Sequence, residues 1–124
     1  MASRPWVVLA FVGTAACAGD VDDRPVRWSY IASAILRPNC ATSSCHSSRA
    51  ASGDLELEDP DVAYESLLGE DAEGDYVVPG HPQESKLLRL LRADEVDRMP
   101  PDQPLPDADI ELIERWVLAG ARKD

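Results

Sequence analysis

Cys40-Ala41-Thr42-Ser43-Ser44-Cys45-His46 is the one stretch of this chain where two thiols and an imidazole come together. A Cys pair followed at once by His is the arrangement by which a c-type haem is attached covalently. Each thiol adds to one vinyl group of the porphyrin, and the adjacent imidazole lies under the iron as proximal ligand. The usual form is C-x-x-C-H; four residues between Cys40 and Cys45 lengthen it here. A longer insert keeps both sulfurs on one haem edge only by looping outward. By itself the stretch also admits a Cys40–Cys45 disulfide, plausible in an exported protein. With distant His81 it offers the N/S ligands of a structural zinc. A further possibility is that these residues are unpaired, with His46 an ordinary surface histidine.

The rest of the chain bears on that choice. Its 124 residues make one domain at most, near the lower end for a self-sufficient core. A chain this short gains from a staple or a large buried cofactor. Residues 1–18 read as a signal peptide: Arg4, an apolar run from Trp6 to Ala16, then small residues. The run is too short to span a bilayer. Thr14-Ala15-Ala16-Cys17 resembles a bacterial lipoprotein box, which makes Cys17 a candidate for lipidation. The rival is cleavage at Ala16-Cys17-Ala18, which discards Cys17. Acyl chains on Cys17 would hold the protein at a membrane surface. The expected location is the cell envelope, on the periplasmic side of the outer or inner membrane.

Losing Arg4 with the leader takes 12 basic residues to 11 against 23 acidic ones, a net charge of −12. Such a surface repels nucleic acid and steers the protein towards a partner with a basic docking surface. Residues 19–27 are a polar tether and 28–124 the folded domain. Trp28, Ile31 and Ile35, flanked by Ala32 and Leu36, form an apolar stripe on a first helix that Pro38 is expected to stop. Asp54 to Glu58 alternates polar and apolar, as an extended arm laying Leu55 and Leu57 on the core. Asp59-Pro60 reads as N-cap and first position of a helix through Leu68, ended by Gly69. Glu70 to Asp75 is an acidic loop without the spaced ligands of a calcium site.

Pro82 is expected to open another helix, with Leu87, Leu88, Leu90 and Leu91 as its buried side. Met99 is the only methionine left once Met1 goes with the leader, and it stands in the Pro-rich loop Met99 to Pro106. A thioether presented by a rigid loop suits the distal position of haem iron, opposite His46. Asp107 or Asp109 caps a last helix whose stripe is Ile110, Ile113 and Val117, widened by Leu112 and Trp116. Gly120 either ends that helix or lets another backbone approach.

In order along the chain, several blocks resemble the small cytochrome c-like lipoproteins of Gram-negative bacteria, related to the planctomycete-type cytochrome c domain. They are 35–40 leading into Cys45-His46, the 53–57 arm, 63–69, 78–82 with 85–88, 98–100 and 113–121. The resemblance implies an all-α cytochrome c-like fold, with N- and C-terminal helices packed across each other around a haem pocket. It implies haem c attached through Cys40 and Cys45, with iron held by His46 and Met99. It gives no role to His81, which stands where such sequences commonly have an acid or amide. The expected function is single-electron transfer with a redox partner protein, not enzymatic catalysis, and no catalytic residue stands out. The alternative is a non-enzymatic envelope lipoprotein of the same fold, stapled by a disulfide or zinc and without haem.

Overall fold

The computed structural model describes residues 22–70 and 74–124; the leader with Cys17, residues 19–21 of the tether and 71–73 of the acidic loop lie outside them. Four helices and no strand occur among the described residues, an all-α arrangement consistent with the cytochrome c-like fold. Helix α1 covers 28–40 and is built of Trp28–Tyr30, a π-helical stretch Ile31–Leu36, and Arg37–Cys40. Helix α2 is Pro60–Leu68, α3 is Lys86–Leu91 and α4 is Asp107–Leu118.

Pro38 does not stop α1. A proline ring normally clashes with the carbonyl four residues back. Here the turn before it is widened, the Arg37 N–H bonding the Ala32 carbonyl five residues back. Such π turns relieve the crowding, and the helix continues to Cys40. Asn39 Nδ2 also donates to the Ile35 carbonyl (2.7 Å). The helix therefore carries Cys40 at its end.

Two other starts differ from expectation. Pro82 opens only a 3-10 turn, Pro82–Glu84, because Ser85 behind it is drawn inward. Fully buried, Ser85 takes the Val78 N–H on its Oγ (2.9 Å) and donates to the His81 carbonyl (3.0 Å). Helix α3 therefore begins at Lys86. Neither Asp107 nor Asp109 caps α4, whose N-cap is Pro106. Asp109 is instead taken by Arg24, which also pairs with Asp22 (2.8 Å), and Arg115 approaches Asp22 at 3.4 Å. This network joins residues 22–24 to α4. The Arg24 hydrogen bond holds Asp22 down at about 2.

Elsewhere local chemistry acts as read. Asp59 Oδ1 accepts from the Asp61 and Val62 amides, capping α2 (2.9 and 3.1 Å). After α4, Gly120 N–H bonds the Val117 carbonyl and Ala121 N–H the Trp116 carbonyl (both 2.9 Å). With φ of +104° at Gly120, this is the Schellman ending. Gly120 thus ends the helix; no backbone approaches it closely.

The first and last helices meet through aromatic rings. Trp28 of α1 stacks on Trp116 of α4 with centroids 5.2 Å apart, and Tyr64 of α2 meets Trp28 edge-on at 5.3 Å. Each ring also spends its polar atom on a carbonyl: Trp28 on Pro60, Trp116 on Arg122 and Tyr64 on Ala121. Beneath them lie Ile31, Ile35, Leu112, Ile113 and Val117, all essentially without exposure. Burial of this kind is the main favourable term in folding. Trp116→Ala removes the shared ring, and unfolding in urea followed by circular dichroism is expected to show a loss of about 3–5 kcal/mol; a loss below about 1 kcal/mol would mean the stack is not central.

Candidate functional site

The end of the domain served by Cys40 is hollow. A cavity of about 360 Å³ lies there, lined by Cys40 and Cys45, His46, and Met99 together. Leu55 and Leu57 of the extended arm and Leu87, Leu90 and Leu91 of α3 supply its apolar walls. The size falls within the range of sites that enclose a ligand.

Each of these side chains is delivered by a different local device. Cys40 is the last residue of α1. The following insert turns outward, with Thr42, Ser43 and Ser44 exposed, while Cys45 N–H bonds the Thr42 carbonyl (3.0 Å). His46 N–H then returns to the Cys40 carbonyl (3.1 Å), closing the lengthened loop so that both cysteines line one cavity. Downstream, His46 is tied to the arm: Leu57 N–H bonds the His46 carbonyl at 2.7 Å. Alternation in 54–58 thus serves two ends at once, burying Leu55 and Leu57 and pinning the histidine backbone.

The His46 ring is oriented by Leu55, whose carbonyl lies 3.0 Å from Nδ1. A carbonyl only accepts, so Nδ1 carries the proton and Nε2 keeps its lone pair. That is the tautomer a metal-binding histidine needs. Met99 follows α3 on the loop to α4; its amide bonds the Leu90 carbonyl (3.0 Å), and its side chain is part-exposed where the cavity opens. Cys40 and Cys45 are free thiols. Burial, with a smaller contribution from neighbouring Cys45, pushes the Cys40 thiol up to about 11.

The zinc and disulfide arrangements are not formed. Among the described residues no three His, Cys, Asp or Glu side chains converge as a metal group. His81 is exposed on its own turn, 3.9 Å from Glu84. The residues present do fit a haem: two thiols, an imidazole with a free Nε2, a thioether and apolar walls face one cavity. Asn39, Ser52, Tyr76 and Lys86 also line it; sequence reading missed them, because nothing local to each marks it. On that wall the Lys86 ammonium lies 4.7 Å from the centre of the Tyr76 ring.

Residues 43–103 match the family model described as Planctomycete cytochrome C. The matched span takes in Cys45, His46 and Met99, starts beyond Cys40, and stops short of α4. No curated protein and no solved structure matches the chain. The family supports a cytochrome-type function and implies a haem cofactor and a redox partner protein. An all-helical domain, a cavity bordered by two cysteines, a histidine and a methionine, and this match over residues 43–103 together support a planctomycete-type cytochrome c domain.

Proposed function

We propose that the protein is an exported monohaem c-type cytochrome that passes single electrons and catalyses no reaction of its own. The observation that carries this reading is the lining of a single cavity by Cys40, Cys45, His46 and Met99. When bound, haem supplies an iron centre that takes up and gives back one electron. The chain's part is to attach, orient and enclose it. The Cys40 and Cys45 thiols would hold the porphyrin through thioether bonds to its vinyl groups. His46 would offer Nε2 to the iron, held in that tautomer by the Leu55 carbonyl. Met99 would offer its thioether to the iron as well; such a ligand and an apolar surround would both raise the reduction potential. Leu55, Leu57, Leu87 and Leu91 exclude water from the site.

The same proposal puts the protein in the cell envelope on the periplasmic side. Cys17 would carry the lipid that anchors it to the outer or inner membrane. Its redox partner would present a basic docking surface to the net negative charge of the chain.

Protein purified from its own host tests the ligand set. The oxidised form is expected to show the sulfur-to-iron charge-transfer band. Met99→Ala should abolish that band and lower the potential while the haem stays attached. A wild-type spectrum lacking the band, or a band that survives Met99→Ala, would remove Met99 from the iron.

The thiols make a second test possible in chain produced without haem. Cys40, raised from 9.0 to about 11, favours its protonated form in the fold. Its stabilising effect is complete below pH 9 and lost as pH climbs towards 11. Alkylation of Cys40 should therefore be slow at pH 8 and keep accelerating up to about pH 11, with stability falling over the same window. A rate that levels off by about pH 9 would contradict burial of this thiol.

A further inference from the structure

The cavity opens beside α3 and Met99 onto a groove of about 570 Å³. Lys86, Leu90, Met99 and Pro101 line both spaces. Arg89 and Arg98 line the groove alone, and Asp97 is its one carboxylate. The chain as a whole has 23 acidic residues to 12 basic ones, so an excess of cations at this mouth runs against the composition.

Two of these cations lack partners. Arg98 Nε is closed off from solvent and makes no hydrogen bond, the one buried side-chain nitrogen or oxygen in that state among the described residues. Its Nη2 has only the Pro101 carbonyl, at 3.5 Å. Buried donors of this kind are nearly always satisfied in a complete site. Lys86 forms no salt bridge among the described residues. Its ammonium lies over the Tyr76 ring on the wall of a largely apolar cavity. A ring face is a weaker counterpart for an ammonium than a carboxylate.

We propose that Lys86 and Arg98 receive the propionate carboxylates of the haem, Lys86 from the cavity wall and Arg98 from the groove. The inference rests on the haem reading above. A guanidinium takes a carboxylate through two parallel N–H bonds, and a rotation of the Arg98 side chain offers Nε and Nη2 together, satisfying the orphaned donor. Lys86 acts as a point charge and gives up its ring contact. The rival use of these cations is docking of an acidic partner. Arg89, exposed, suits that use. Lys86 lies on the inner cavity and Arg98 is half-buried, so they suit an anion held within.

The test uses holoprotein with Lys86→Gln, Arg98→Gln and, as a control, Arg89→Gln. Covalent haem is first verified in each by the pyridine haemochrome spectrum. Resonance Raman propionate bending bands are expected to shift in the first two variants, and their reduction potentials to fall. A removed cation no longer opposes the ferric charge. Arg89→Gln should leave both readouts at wild-type values. Lys86→Arg and Arg98→Lys, which keep the charge and the volume, should hold the potential near wild type and serve where the glutamine variants fold poorly. Unmoved propionate bands in both glutamine variants overturn the proposal. So does an equal shift in Arg89→Gln, which would point to a general field at a docking face. Wild type without covalent haem brings down the haem reading itself, a separate outcome seen before any variant is compared.

Discussion

One backbone hydrogen bond, from His46 N–H to the Cys40 carbonyl, is the constraint on which the site depends. The insert between the cysteines is longer than the usual attachment motif tolerates without a detour. Closing the loop at its base turns the extra residues into an exposed bulge and leaves both thiols and the imidazole facing inward. Without that closure Cys45 and His46 would be carried away from the helix end that holds Cys40. The π-helical turn in α1 serves the same purpose from the other side, because it lets the helix pass Pro38 and reach Cys40.

The domain divides into a filled end and a hollow one. At the filled end Trp28, Tyr64 and Trp116 clamp the first, second and last helices together, and each ring's polar atom is satisfied by a carbonyl. At the other end Leu55, Leu57, Leu87 and Leu91 belong both to the core and to the cavity wall. A group that fills the cavity therefore completes the core, and its binding adds to folding stability by mass action. Small domains commonly need such an addition. Chain economy is visible in the arm, where two leucines pack the core, one carbonyl orients His46, and one amide fixes its backbone.

Much of this was legible in the sequence where the physics is local. The apolar stripes of α1 and α4, the Asp59-Pro60 start of α2 and the alternation of Leu55 and Leu57 depend on near neighbours, and the structure follows them. Two of the misreadings share a cause: a contact outside the helix overrode the signal local to it. Asp109 serves Arg24 rather than its own helix, and Ser85 is drawn into the core and delays α3. Pro38 is accommodated by a π turn that no residue type announces. In the site, Cys40, Cys45, His46 and Met99 could be named from the motif and the Pro-rich loop. The wall could not, because Tyr76, Lys86 and Leu90 meet the motif only through tertiary packing.

The central claim is that a tetrapyrrole is fixed to this chain through its two paired thiols. Weighing the intact mature polypeptide from its own host by mass spectrometry addresses it most directly. The account predicts the mass of the processed chain, with any lipid, plus one haem that withstands denaturation. A mass equal to the processed chain and lipid alone would contradict it.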